Sequence, residues 1–284
     1  MTLYGIYGGS GFIGQHIKKY LKHEGLHYFL IQNRGTLDEI SASLSSFNNI
    51  SKKYFKASII YLSENSDIRF AEDMGENYIL ENITRLKAIA DNTSASIIYA
   101  SSAGVYGDQS SHQHKPSENI TGFNIYSKSK LECESIVISN GGVVARLANV
   151  YGIGMSSQNV ISDILNQVIC SNIKSIQIKD GGPVRDFIHV KDVATCLVYM
   201  AKSNQKGIFN VASGESISIK QLVEKILEIA QLSNIKIVET NKSSAYSSIL
   251  LDTSLTKKNY NWESQIYFSE GLKNLIQYTS EIRT

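Results

Sequence analysis

Proline is nearly missing: the 284-residue chain has two, Pro116 and Pro183. Collagen-like and Pro-rich extended architectures are thereby excluded, and helices and strands can run uninterrupted between turns. Cysteine is scarce. Cys133, Cys170 and Cys196 are widely spaced and odd in number. They form no disulfide framework, zinc set or redox motif, and they predict a reduced, cytoplasmic setting. A dominant charge sign is also lacking, with 28 Lys+Arg against 26 Asp+Glu and no basic run. That predicts no nucleic-acid partner and no membrane-surface partner. No apolar run is long enough to span a bilayer, and the N-terminus opens on a strand pattern with no basic n-region and apolar h-region, so no leader is expected. Repeats and low-complexity tracts are absent. What is left is ordinary globular composition, 42% hydrophobic, enough for one large domain or two small ones.

Glycine is where the chain becomes specific. Thr2 to Tyr7 reads as a short buried strand, followed by Gly8-Gly9-Ser10-Gly11-Phe12-Ile13-Gly14. A helix then runs to about Glu24, with Ile13, Ile17 and Leu21 on one face and Gly25 as its stop. Strand, glycine turn and helix together suit a dinucleotide, whose pyrophosphate sits on the helix N-terminus. Gly8 allows the tight turn, Gly11 lets backbone approach the pyrophosphate, and Gly14 lets the helix pack on the sheet. Phe12 and Ile13 join them as candidate cofactor contacts. The spacing is Gly-x-x-Gly-x-x-Gly, not the commoner Gly-x-Gly-x-x-Gly, so a glycine loop without a ligand is the competing reading.

Tyr28 to Ile31 is the second strand. Its end carries the residue that reads the adenosine ribose: a carboxylate for a 2′-hydroxyl, an arginine for a 2′-phosphate. Here Gln32-Asn33-Arg34-Gly35 follows, with no carboxylate before Asp38. Arg34 favours NADP(H); Asn33 on the ribose of NAD(H) is the alternative. Leu37 to Phe47 reads as a short helix. Tyr54 to Leu62 supplies one or two strands, leaving Leu62 and Ser63 as further candidate cofactor contacts. A long helix over Arg69 to Ala90, strands over Ile97 to Ala100 and Val143 to Leu147, and a helix over Asn124 to Ser139 follow. The pattern then turns mixed. Helices are expected over Val160 to Cys170, from the Arg185-to-Asp192 run to Lys202, from a Ser218 cap through Ala230, and over Ser269 to Tyr278. Short strands are expected over Ile176 to Ile178, Ile208 to Val211 and Ile235 to Val238. The fold class is therefore α/β: a doubly wound Rossmann-like parallel sheet in residues 1–152, with parts of 175–212 returning to it, and a smaller mixed α/β C-terminal substrate lobe, mainly 153–284.

Tyr126-Ser127-Lys128-Ser129-Lys130 puts a phenol and an ammonium four residues apart on one helix face. A free tyrosine titrates at about 10, and a nearby cation favours its phenolate. Such a pair can move protons near neutral pH. Ser102, at the carboxyl end of the fourth predicted strand, would offer a hydroxyl to the same substrate oxygen. Alone, Tyr-x-x-x-Lys is a pattern many surface helices carry. His112 and His114 read as exposed histidines of a polar loop, with no Cys, Asp or Glu spaced to complete a metal site, so no metal is expected.

Together these segments resemble the extended short-chain dehydrogenase/reductase family, the nucleotide-sugar epimerases, dehydratases and 4-ketoreductases. The likeness runs nearly end to end. It is carried by Gly8 to Gly14, Ser101-Ser102-Ala103-Gly104-Val105-Tyr106-Gly107, Tyr126 to Lys130, Arg146-Leu147-Ala148-Asn149-Val150-Tyr151-Gly152, and Arg185-Asp186-Phe187-Ile188-His189-Val190-Lys191-Asp192. The resemblance implies catalysis by Ser102, Tyr126 and Lys130, and a substrate that is a nucleotide-diphosphate sugar. It places Ala103 and Asn149 near that substrate, Arg185 on its diphosphate, and Asn82 beside the cofactor. It also implies a homodimer through the helices over Arg69–Ala90 and Asn124–Ser139.

The departures narrow the chemistry. Where 4,6-dehydratases carry an Asp-Glu pair after the catalytic hydroxyl residue, this chain has Ala103 and Gly104, so dehydration lacks its acid and base. Gly104 also stands where a 3,5-epimerase would need a cysteine. The stretch between Asn33 and Tyr61 is too short for the usual third βα unit. No aspartate follows the third strand to meet adenine, and no second arginine lies near Ser244 to Ser247. The leading expectation is NADPH-dependent reduction of the C4 keto group of a nucleotide-linked 4-keto-6-deoxyhexose. The alternatives are a 4-epimerase with tightly held NAD and a non-catalytic cofactor-binding regulator.

Overall fold

A computed structural model describes residues 1–168, 173–243 and 245–283. Strand β1 (Thr2–Tyr7) is buried on both faces, which is why it reads as a continuous apolar run instead of an alternating one. The glycine turn and helix α1 (Phe12–His23) lead to β2 (Tyr28–Ile31), α2 (Leu37–Ser51) and β3 (Lys56–Tyr61). Next come α3 (Ile68–Met74), α4 (Glu76–Ala90), β4 (Ser96–Ser102) and a 3-10 turn over Ala103–Tyr106. Strand β5 (Gln109–His114), helix α5 (Ile125–Ser139) and strands β6 (Val143–Leu147) and β7 (Asn149–Tyr151) complete this half.

The main sheet is parallel throughout, in the order β2-β1-β3-β4-β6-β10, with β10 at Gly207–Val211. The order reverses between β1 and β3, and an open α/β sheet binds ligands at the carboxyl ends beside such a reversal. The sheet stops at β2. A doubly wound fold ordinarily continues one strand further, but α2 returns directly to β3, and Tyr54 to Leu62 yields one strand. Alternation along β3 splits the packing. Ile60 faces α1 and α7 (Val190–Lys202), joining Ile6, Ile17, Leu21 and Leu197; Ile59 and Tyr61 face α2, α4 and α5, joining Phe47, Leu86 and Val137.

The remaining chain is mixed, as expected. It comprises α6 (Val160–Val168), β8 (Ser175–Ile178), β9 (Val184–His189), β11 (Ser216–Ser218), α8 (Ile219–Ile229), β12 (Lys236–Glu239), β13 (Ser248–Leu251), α9 (Ser254–Tyr260) and α10 (Phe268–Arg283). A separate core of Ile164, Leu165, Ile176, Phe187, Leu222, Ile226 and Leu272 lies under α6, α8 and α10. Strand β8 pairs with β12 in this half, whereas α7 and β10 return to the main sheet. Strand β13 bridges β5 and β9, both parallel to it. No described helix is long and apolar enough to cross a membrane.

Two expectations change. The single helix over Arg69 to Ala90 is two, because Gly75 takes φ +59 and breaks it. His112 and His114 lie on β5, not in a loop, and His114 is buried against Tyr106 where both were expected exposed; the rest of the strand is polar and mostly exposed, so it carried no apolar alternation to find. The end of the Val160-to-Cys170 helix falls outside the described residues.

One buried ion pair ties the layers together. Arg146 on β6 and Glu134 on α5 approach to 2.6 Å, with both side chains under 5% exposed. Ser101 donates to the same carboxylate at 2.5 Å, and Arg146 donates to the Tyr106 hydroxyl at 3.0 Å. Tyr106 in turn donates to Asn210 on β10 at 2.8 Å. Removing one partner of such a pair leaves an uncompensated buried charge, at about 3–5 kcal/mol, whereas replacing both by apolar groups is often neutral. Arg146→Met should therefore lower stability by about 3–5 kcal/mol, and Arg146→Met/Glu134→Leu should recover most of it, read from urea midpoints at unchanged slope. A single variant as mild as the double would contradict this account.

Candidate active site

The glycine turn closes onto the end of β3. Gly8 has φ +98, and a side chain there would meet the Leu62 carbonyl carbon and Ser63 nitrogen at 3.1 Å. A Cβ on Gly14 would lie 2.4 Å from the Gly8 carbonyl oxygen, so α1 can seat only on a glycine. Gly11 is the N-cap of α1; no side chain caps it, and its first turn holds no acidic residue. The helix N-terminus thus presents uncapped N–H groups with a positive end of the dipole behind them. This cradle fits a dinucleotide pyrophosphate. Phe12 lies beside Gly154, 3.8 Å from where a Cβ there would stand.

At the adenosine end, Asn33 donates to the Ser63 hydroxyl at 2.7 Å, joining the tips of β2 and β3. Arg34 is exposed, two residues before Thr36, which caps α2 through a reciprocal bond with Glu39. The first turn of α2 carries Asp38 and Glu39, so the positive charge of this rim is that of Arg34.

The catalytic candidates converge at the carboxyl end of β4. Helix α5 starts on a box formed by Asn124 and Ser127, which fixes Tyr126 and Lys130 one turn apart on its buried face. Ser102 ends β4, and its hydroxyl accepts the Gly104 N–H at 3.0 Å. An atom at the Cβ position of Gly104 would stand 3.2 Å from Ser102 Oγ and 3.8 Å from Tyr126 Cε1. The serine hydroxyl and the edge of the Tyr126 ring therefore both lie against Gly104, with buried Ala103 next to it. Asn82, buried on α4, donates to Ser129 at 3.1 Å, the residue just before Lys130.

Sequence reasoning missed Glu64. Its carboxylate lies 2.7 Å from Lys130 Nζ, with the two side chains 3% and 7% exposed. The other oxygen accepts the Tyr99 hydroxyl at 2.6 Å, and Lys130 also donates to the Ala100 carbonyl at 3.0 Å. Burial alone would pull the Lys130 ammonium down, but Glu64 more than reverses this and holds it above the ordinary lysine range. Beneath Glu64, Tyr7, Tyr61 and Tyr99 lie side by side in register on β1, β3 and β4. Burial pushes the Tyr61 and Tyr99 phenols well up, and Glu64 adds to both. The available signal was a carboxylate one residue past Ser63, at a strand end that faces ligands.

On the other side of the mouth, Asn149 on β7 is exposed and donates to the Asp186 carbonyl at 3.2 Å. Arg185 donates to Ser247 at 2.8 Å and to Asp108 at 3.2 Å. Burial lowers its pKa, and Asp108 partly offsets that. Ser247, in the segment without a second arginine, is thus a partner of the first. His189 accepts the Lys191 N–H and caps α7. One metal expectation is corrected: an acidic partner for the histidines exists. Glu118 accepts from His114 at 2.7 Å and from His112 at 3.3 Å, and one ligand atom from each of the three lies within 4.8 Å of the others.

A family model described as the NAD dependent epimerase/dehydratase family matches residues 5–212. The chain belongs to that family. An NAD(P)-dependent enzyme is what this epimerase/dehydratase family member is, in keeping with its uncapped glycine cradle. It is 24% identical to the UDP-glucuronate 4-epimerase of Thermodesulfobacterium geofontis, over 99% of this chain and 97% of that one. It is 25% identical to the dTDP-4-dehydro-6-deoxyglucose reductase of Escherichia coli, over 84% and 80%. Among solved structures, RMD from Pseudomonas aeruginosa complexed with NADPH superposes with a TM-score of 0.86 at 22% identity, covering 99% of this chain and 98% of that one. The parallel sheet and the mixed second sheet are therefore those of this fold.

Proposed function

We propose that the protein reduces the C4 keto group of a nucleotide-linked 4-keto-6-deoxyhexose with NADPH. The observation that carries this reading is that Ser102 and the Tyr126 ring both lie against Gly104, with Lys130 Nζ 5.8 Å from the Tyr126 ring centroid. A bound nicotinamide would supply hydride to the carbonyl carbon. Ser102 and Tyr126 would hydrogen-bond the carbonyl oxygen, and the Tyr126 proton would pass to that oxygen as the new C–H bond forms. The phenolate left behind would be reprotonated from solvent. Gly8, Gly11 and Gly14 would hold the pyrophosphate, Lys130 and Asn82 would support the nicotinamide ribose, and Asn33, Leu62 and Ser63 would line the adenosine end. Asn149 and Arg185 would meet the sugar and its diphosphate. Ala103 and Gly104 bring no carboxylate to the site, so elimination of water has no acid and base there. The reductase named above, similar over most of the chain, supports this reading. A second reading, a 4-epimerase with retained NAD, is supported by the near full-length match to a 4-epimerase.

Cofactor released on denaturing the purified protein separates the two. Retained NAD supports the epimerase; an empty protein that binds added NADPH supports the reductase. Tyr126→Phe should lower turnover by about 10²–10⁴-fold with cofactor affinity nearly unchanged, and near-normal turnover would remove Tyr126 from the mechanism.

Arg34 should set the cofactor preference. Its guanidinium can grip a 2′-phosphate with paired charge-assisted bonds, discounted for its exposure to solvent. Arg34→Ala should weaken NADPH binding by about ten- to a hundredfold, or about 1.4–2.8 kcal/mol, and change NADH binding little. Equal loss for both dinucleotides would end the NADP assignment.

We also infer a homodimer through α4 and α5, which leave Leu80 60% and Ile138 38% exposed. Light scattering at micromolar concentration should give twice the chain mass; a monomer mass counts against it.

A further inference from the structure

We propose that Glu64 is a positioning residue of the catalytic pair: it anchors the Lys130 ammonium and offsets its charge, so that Tyr126 stands ready as a neutral proton donor. The proposal rests on the reading of Tyr126 and Lys130 as the proton-transferring pair, and deepens it by giving the pair a direction. Carbonyl reduction consumes a phenol proton, whereas alcohol oxidation, the first half of epimerisation, needs a phenolate. A lone buried ammonium beside the phenol would favour the phenolate. An ammonium with a carboxylate at 2.7 Å has most of that field cancelled.

The geometry asks for this account because packing alone does not explain a carboxylate there. Glu64 stands just past the end of β3, and its carboxylate reaches in between Tyr99 of β4 and Lys130 of α5, where an apolar side chain would fill the same space. Burying an ion pair costs desolvation that its attraction seldom exceeds, and apolar groups of similar volume are often as good. The pair is also built with care. Both Glu64 oxygens are engaged, one by Lys130 and one by Tyr99. Lys130 has three N–H donors; Glu64 and the Ala100 carbonyl take two, which leaves one for the cofactor's ribose.

Other titratable groups face the pair from each neighbouring element. They are Tyr61 on β3, Tyr99 on β4, Tyr78 on α4, and Cys133 and Tyr126 on α5, with Tyr7 and Arg85 further out. Burial raises Tyr61, Tyr99, Tyr78 and Cys133, with Glu64 adding to each. A phenol signal that disappears with the Tyr126 ring hydroxyl can therefore be isolated from theirs.

The test is an ultraviolet titration of tyrosinate on the free protein, without substrate. The wild type minus Tyr126→Phe difference reports Tyr126 alone, and the same difference is taken in Glu64→Gln. The Tyr126 midpoint should fall by about one pH unit or more in Glu64→Gln, a differential interaction of about 1.4 kcal/mol per unit, and should stay near wild type in Glu64→Asp. The basic limb of the kcat/KM profile for reduction should move down with it. If Glu64→Gln does not fold, Lys130→Met and Lys130→Met/Glu64→Gln provide the same comparison without an unpaired ammonium, and the Tyr126 midpoint should be lower in the double variant. A midpoint unmoved or raised by loss of the carboxylate overturns the proposal. Because the titration involves no turnover, an epimerase product with a shifted midpoint would sink the reductase reading and leave the Glu64 field established. A reductase product with an unmoved midpoint would do the opposite.

Discussion

The Arg146–Glu134 pair is the constraint through which the site acquires its shape. Helix α5 carries Tyr126 and Lys130, but a helix packed on a sheet by apolar contacts alone can slide or roll at small cost. A bidentate guanidinium–carboxylate contact permits little of either. The same carboxylate takes the Ser101 hydroxyl, so the residue before Ser102 is fixed to the helix that carries Tyr126. Through Tyr106 and Asn210 the network reaches the His114 and Asp252 carbonyls, and so β5 and the turn after β13. One buried charge pair thereby aligns the helix of Tyr126 and Lys130, the strand of Ser102 and the second sheet. Desolvating it is costly, and the return is geometric.

What was legible in the chain follows from range. Gly8 to Gly14, Ser102, and Tyr126 with Lys130 announce themselves because each acts through a local conformation: a left-handed turn, a strand end, a helix repeat. The three-dimensional partner of a charge has no such signature. Glu64, Asp108 and Glu134 are ordinary carboxylates in sequence, and only the crossing of β3, the 3-10 turn and α5 over the mouth makes them partners of Lys130, Arg185 and Arg146. Strand β5 escaped detection for a related reason. It buries only His114 and takes its order from β13, some 135 residues later, by backbone pairing that side-chain pattern does not encode. Gly75 was visible as a residue, yet glycine within a helical pattern is tolerated often enough that only its φ of +59 decides the break.

The short stretch after β2 has a structural consequence at the adenosine end. With no strand beyond it, β2 is an edge, and Tyr28 and Leu30 are 37% and 48% exposed. A fuller sheet would wall this side of the mouth with another strand and its loop. Here the wall is reduced to Asn33, Ser63 and the N-terminal turn of α2, closed by the Thr36–Glu39 box. On the proposed assignment, recognition at this end must then come from a few polar groups, which places more weight on the Arg34 guanidinium than a deeper pocket would.

The two cations of the mouth are held in different ways. Arg185, the cation facing the second lobe, is already held by Asp108 and Ser247, and Ser247 donates to the same Asp108 oxygen at 2.5 Å. The guanidinium is paired but not saturated: it has five N–H donors, and the described contacts use those of Nη1 and Nη2 toward Val184, Asp108 and Ser247, so a diphosphate bound as proposed would still find donors. Asp108 is 38% exposed, so water can solvate it if the arginine turns towards phosphate. Lys130 differs in kind, since Glu64 has almost no access to water and cannot be released at low cost. Arg185 is thus exchangeable and Lys130 is not. On the proposed assignment, binding energy from a nucleotide can reorganise the first without disturbing Tyr126 beside the second, which would keep recognition and chemistry in separate electrostatic compartments of one cleft.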